Sequence, residues 1–206
     1  SADSLSGATK PLSNTSTYQE IIPFKNIIVF MDTTPPDITI TSPDANSYLN
    51  TRTVNAKITV DGTGSKVDTV TINGNSTTLI ETSDPNVVKV NTDLSFDKDG
   101  DFDLKVEAKD VAGNSSEKTI TIHIDTVNPT VTGSLSSDGA GKFNLSLTTN
   151  GTGSPVDMIS VNNNNLSFTS AEEVIVSEKI SSNLASVVIT DKAGNKLTGT
   201  IKIADP

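Results

Sequence analysis

No cysteine occurs in this chain of 206 residues, which removes disulfides, zinc–thiolate centres and thiol nucleophiles together. Tryptophan is absent too, and aromatic residues make up only 4%, so any core must be built from valine, isoleucine and leucine. One histidine, His123, is the sole imidazole available for general-base chemistry. No run of about 18 apolar residues exists, the length a helix needs to cross a bilayer, so membrane insertion is not expected. The chain starts without methionine and without a basic-then-apolar leader, which reads as a processed chain or a section of a longer one. Basic residues are scarce, 15 against 25 acidic ones, for a net charge of −10. A surface of that sign repels nucleic acid and anionic membranes.

What is present suits two small domains of about 90 residues, each able to bury its own core. Hydrophobic residues are 33% of the chain, a lean aliphatic content that fits thin β-sandwiches. The strongest feature is an internal repeat. DGTGSKVDTVTINGN at 61–75 recurs as NGTGSPVDMISVNNN at 150–164, and KVEAKDVAGN ending at Asn114 recurs as SVVITDKAGN ending at Asn195. Two copies of one supersecondary plan are therefore expected. An apolar strand running into an acidic, proline-bearing linker appears three times: IVFMDTTPP at 28–36, IHIDTVNP at 122–129 and IKIADP at 201–206.

Within the first copy the apolar period is two. Val54, Ala56, Ile58 and Val60 alternate with polar residues, as do Phe102, Leu104, Val106 and Ala108, and then Ile120, Ile122 and Ile124. The last two runs predict a hairpin across a turn at 112–116. In the DxAGN turn the glycine takes positive φ without steric cost, and the Asp and Asn side chains can bond the turn's own backbone, as Asp110 is expected to do. Asn73-Gly74 and Asn150-Gly151 are further turn signals. In the second copy Phe143, Leu145 and Leu147 alternate, as do Ile159 and Val161. Residues 167–180 are assigned to strand, and the first strand of this copy is not placed. The expected architecture is all-β: two tandem immunoglobulin-like antiparallel β-sandwich domains, at 33–127 and 128–206, preceded by a short N-terminal extension at 1–32 that reads as the tail of a preceding module.

The DTTPP linker, the VEAKDVAGN penultimate strand and the final TITIHID strand resemble the bacterial immunoglobulin-like and fibronectin-type repeats of Gram-positive cell-surface proteins. The resemblance spans about Asp32 to Pro206. With PFKNIIVFMDTTPP included, it extends to the region that follows the catalytic domain in lactocepin-type cell-envelope proteinases. It implies an extracellular location at the bacterial cell surface or wall and a role as spacer, stalk or accessory interaction module. It specifies fold class rather than activity. The second copy departs from the pattern: its linker reads TVNPTVTG, and Ile189 stands where the first copy has Ala108.

No GxSxG elbow, HExxH helix or GxxxxGK[ST] loop occurs, and the chain is not expected to be an enzyme, whatever domain its parent protein carries elsewhere. Alternation aims His123 away from the isoleucines beside it, toward solvent or a neighbouring module. The best metal candidate is Asp97, Asp99, Asp101 and Asp103, whose hard oxygens recur at every second position and are of the kind that hold calcium. The run lacks the distal glutamate and the register of an EF-hand loop, and a solvated acidic turn before a strand is the plainer reading, which explains it without metal. No other cofactor is implied. The amides of Asn162 to Asn165 are candidates for glycan contact, with a hairpin loop as the plainer reading. Tyr18, Phe24, Phe30 and Tyr48 are the few exposed-aromatic candidates, read first as packing between modules. Expected partners are neighbouring domains of the same polypeptide, with host protein, substrate protein or glycan as the others, and the chain is expected to be a monomer.

Overall fold

The computed structural model describes residues 31–203, and Thr33–Pro206 is one compact unit. The expectations for Tyr18, Phe24, Phe30 and the outer linker at 205–206 lie outside the described residues.

The first sandwich contains β1 (Asp37–Ser42), β2 (Tyr48–Leu49), β3 (Thr53–Asp61), β4 (Val67–Ile72), β5 (Asn75–Ser76), β6 (Ile80–Glu81), β7 (Val87–Ser95), β8 (Gly100–Asp110) and β9 (Ser115–Ile124). One sheet runs β1-β3-β7-β6 and the other β2-β9-β8-β4-β5. This is the immunoglobulin arrangement of two antiparallel sheets, with first, second, fifth and fourth strands facing third, sixth and seventh. Alternation decides which faces meet. Ala56, Ile58 and Val60 of β3 and Leu104, Val106 and Ala108 of β8 are buried and join one aliphatic core with Ile38, Val70, Ile72, Val88 and Val90, while Val54 packs in a second cluster with Ile122 and Ile124. Each such valine, isoleucine or leucine contributes about 2 kcal/mol on leaving water. The β8–β9 hairpin expected across the turn at 112–116 forms, pairing Phe102 with Ile122 and Leu104 with Ile120. At the tip of β4–β5, Asn73 (φ 49°) and Gly74 (φ 78°) take the left-handed conformation that a two-residue hairpin turn demands.

The second sandwich contains β10 (Thr130–Ser137), β11 (Phe143–Asn150), β12 (Val156–Val161), β13 (Asn164–Asn165), β14 (Glu173–Ile180), β15 (Leu184–Asp191) and β16 (Lys196–Lys202). Its sheets run β10-β11-β14 and β13-β12-β15-β16, enclosing a separate core that includes Leu145, Leu147, Ile159, Val187 and Ile189. The isoleucine that replaces Ala108 is thus accommodated by fully buried packing.

The copies differ at one edge. In the first, β6 covers β7 through the pairs Ile80↔Lys89 and Glu81↔Val88. In the second, strand begins only at Glu173, so the expectation of strand from 167 onward is corrected. The Ser170 hydroxyl donates to the Val156 carbonyl at 2.7 Å, and Val156 N–H donates to the Ala171 carbonyl at 2.8 Å. Those bonds draw the segment toward β12 and leave the outer edge of β14 without a partner strand. A cleft of about 450 Å³ lies there, lined by residues that include Leu166, Phe168 and Ile175.

At the β10–β11 turn, Asp138 accepts from Lys179 Nζ at 2.7 Å and from the backbone N–H groups of Ala140 and Lys142 at 2.8 and 3.0 Å. The Lys179 ammonium, followed by those two N–H groups, holds its carboxyl down at about 2. A carboxyl lowered in the folded state adds stability above the ordinary value of 3.8 and loses it as pH falls toward about 2. The Asp138 carboxyl carbon is therefore expected to titrate below the other surface aspartates in an NMR series, and Lys179→Met should move its midpoint back up.

Candidate functional site: the joint between the sandwiches

Both repeated motifs close turns of the same design. In the first, Asp110 N–H donates to the Asn114 carbonyl at 3.0 Å and Gly113 N–H to the Asp110 carbonyl at 3.1 Å. Asn114 N–H and Nδ2 donate to Asp110 Oδ1 and Oδ2 at 2.8 and 2.9 Å. The second repeats this: Asn195 N–H and Nδ2 donate to Asp191 Oδ1 and Oδ2 at 2.9 and 3.0 Å. The glycines, at φ 97° and 92°, supply the left-handed residue each turn requires. Asp110 and Asp191 are both 1% exposed. Burial raises the Asp110 carboxyl, but the Asn114 side-chain and backbone bonds outweigh it and hold the group below its usual value.

The GTGS motif grips the linker. Thr152 Oγ donates to the Asn128 carbonyl at 3.0 Å, as Thr63 Oγ does to the Pro35 carbonyl at 2.9 Å. Asn150 Oδ1 accepts from Thr152 N–H at 2.8 Å and Asp61 Oδ1 from Thr63 N–H at 2.8 Å, so the Asn/Asp alternation before GTGS is one acceptor replacing another. Thr152 (φ 63°) and Gly153 (φ 137°) share the unusual backbone of Thr63 (φ 54°) and Gly64 (φ 141°).

In the second copy the two motifs converge on the end of β9. The Asn195 amide has two hydrogens: one serves Asp191, and the other is donated to the Asp125 carbonyl at 2.9 Å. Gly153 lies against the Asp125 carboxyl so closely that a Cβ there would stand 3.0 Å from Cγ and Oδ1. Lys192 stands 5.9 Å above the Tyr48 ring, and a Cβ on Gly194 would stand 3.6 Å from Asn50 Nδ2. Tyr48 thus meets the second sandwich, in line with its reading as packing between modules. The Tyr48 ring also stacks on His123, with centroids 4.5 Å apart.

Asp125 is 1% exposed. Its Oδ1 accepts the Val127 N–H at 3.0 Å, whereas its Oδ2 is buried and has no hydrogen-bond partner. Burial pushes the Asp125 carboxyl above its usual value. The Val127 N–H and the Ser154 hydroxyl work against that shift, and the charges of Asp191 and Asp99 reinforce it.

The acidic run Asp97, Asp99, Asp101 and Asp103 borders the joint. Asp103 accepts from Thr121 at 2.8 Å, Asp101 sits 2.6 Å from His123 Nδ1, and Asp99 accepts from Arg52 Nε at 2.8 Å and Thr126 N–H at 2.9 Å. The Arg52 guanidinium, then the Thr126 N–H, hold Asp99 below its usual value. The Asp97 carbonyl receives Arg52 at 3.5 Å. Alternation places Asp101 and Asp103 on one face of β8 beside β9, with Asp99 in the turn before it, and each of the three takes a different partner. Among the described residues no group of three or more His, Asp or Glu side chains is arranged to hold a metal ion. Asn162 (φ 49°) and Asn163 (φ 67°) form the β12–β13 turn.

Sequence reading singled out both motifs and the linkers but not the roles of Thr152, Gly153, Ser154 and Asn195 at the joint. The signal was the recurrence of GTGS, DxAGN and an acidic linker as a set in both copies.

The chain is a tandem pair of immunoglobulin-like β-sandwiches by its strand order. No protein-family model matches it, and no curated protein does. Among solved structures it is similar to the fibronectin(III)-like modules of CbhA from Clostridium thermocellum, with 18% identity over 81% of this chain and 93% of that one and a TM-score of 0.49. It is also similar to the SrpA adhesin of Streptococcus sanguinis, with 17% identity over 84% of this chain and 94% of that one and a TM-score of 0.36. Latent PorU from Porphyromonas gingivalis gives 14% identity over 90% of this chain but 21% of that one, with a TM-score of 0.38.

Proposed function

We propose that the chain is a non-catalytic extracellular spacer section of a bacterial cell-surface protein, in which the joint fixes one sandwich against the next. The observation that carries this reading is the Asn195 amide, which serves the Asp191 carboxylate of its own turn and the Asp125 carbonyl of the preceding module with one group. A flexible tether needs no such bond, and a proline-bearing linker held by Thr152 limits motion further. The acidic surface keeps an array of such modules solvated. The parent protein in this reading is of the cell-envelope proteinase type that the PFKNIIVFMDTTPP passage resembles, with the chemistry in a different domain. Residual dipolar couplings test the reading: both sandwiches should fit a single alignment tensor.

The uncovered edge of β14 favours a second reading, an accessory module for host or substrate protein. Ile175, 66% exposed, lies on that edge, and an extended peptide pairs with such an edge in β-strand addition. Saturable shifts confined to β14 amides on adding extended peptides would favour it over the spacer alone.

A further inference from the structure

An ionised carboxylate in a buried site needs an acceptor's full set of donors, and a neutral acid needs far less. Asp125 has the Val127 N–H on Oδ1, with the Ser154 hydroxyl close to the carboxyl, and no donor on Oδ2, in a place shut off from water and within the field of a second buried carboxylate, Asp191. Asp191 has both oxygens served by Asn195; Asp125 Oδ2 has no such donor. We propose that Asp125 is the proton-operated catch of the joint: with a proton from solvent on Oδ2 the two sandwiches hold together, and loss of that proton loosens them.

The charged groups around it make the assignment specific. From the DxAGN turn come Asp191 and Lys192, and Lys192 is directed over the Tyr48 ring. From the GTGS side comes Glu172, whose Oε1 accepts Gly153 N–H at 2.8 Å. From the β7–β8 turn comes Asp99, already paired with Arg52, and on β9 His123 faces Asp101. Neither Lys192 nor Arg52 has Asp125 as its hydrogen-bond or ion-pair partner. The sign follows from linkage. A carboxyl raised in the folded state binds its proton more tightly there, so its contribution is complete below the ordinary value of 3.8 and is lost as pH rises through the raised value. Acid tightens this joint, the reverse of the Asp138 turn.

The proposal rests on the spacer reading for the joint's importance, and one experiment separates the two. Because the chain has no cysteine, Thr69→Cys and Thr198→Cys, both at exposed positions, place one spin label on each sandwich. Distances are measured in chelator at about pH 4 and about pH 8. The wild-type distribution is expected to narrow roughly twofold on acidification, and Asp125→Asn, an uncharged isostere, should be narrow at both. In the unlabelled protein the Asp125 carboxyl carbon should be the last aspartate to lose its proton, a readout independent of the variant's folding. A wild-type distribution narrow at both pH values overturns the catch and leaves the spacer standing. A distribution broad at both overturns the two together. A pH response that survives in Asp125→Asn, or narrowing at pH 8 on adding calcium alone with no response to acid, also overturns the catch.

Discussion

Gly151→Ala is expected to unfold the second sandwich while the first stays folded. A Cβ at Gly151 would sit inside the contact radius of the Ser154 carbonyl oxygen, which is backbone and cannot swing away. The turn has no slack, because Gly151 N–H donates to the Glu172 carbonyl at 2.8 Å and Thr152 beside it holds the linker. Relief requires breaking the turn, at a cost of more than about 3 kcal/mol, a large part of what a domain of this size has. Each sandwich has its own core, so amide exchange should show protection lost over β10–β16 and retained over β3, β8 and β9. Gly62 meets the Ser65 carbonyl in the same way, and Gly62→Ala should give the mirror result. Wild-type protection of β11 and β15 in Gly151→Ala would contradict the reading of GTGS as a structural clamp.

Asn195→Ala is expected to cost about 2 kcal/mol and to act on the joint as much as on the fold. Alanine leaves one oxygen of the buried Asp191 carboxylate and the Asp125 carbonyl without their shared donor. Leaving a buried acceptor unpaired is costlier than the net worth of the bond it made. The second sandwich should unfold at lower denaturant, and amide shifts should change around Asp125 and Thr126, some 70 residues away in sequence. A shift pattern confined to the β15–β16 turn would show that the amide does not bridge the modules.

The sheets were legible because one face of each long strand is buried, so Val54 to Val60 and Phe102 to Ala108 carry the period in their residue types. β2 was not. Two residues, Tyr48 and Leu49, pair parallel to β9 at His123 and Ile124, too short a run to show a period, and their place is fixed by tertiary bonds such as His123 N–H to the Ser47 carbonyl at 2.9 Å. Residues 167–171 have strand-like composition, yet Ser170 bonds Val156 instead of completing the ladder. The DxAGN turn was legible as local chemistry, because Asp191 and Asn195 are four residues apart. Its second task was not, since the remaining amide hydrogen goes to a different module. The acidic run showed its alternation in sequence, while the partners that separate Asp99, Asp101 and Asp103 lie across the sheet on β9 and beyond it.

The central claim, that the joint fixes one sandwich against the other, is tested most directly by residual dipolar couplings of backbone amides in a weakly aligned sample at about pH 4, the acid arm of the Asp125 test. The account predicts that couplings from β3, β7 and β8 and from β11, β12 and β15 fit one alignment tensor of common magnitude and direction. Two tensors of different magnitude, one per sandwich, would contradict it.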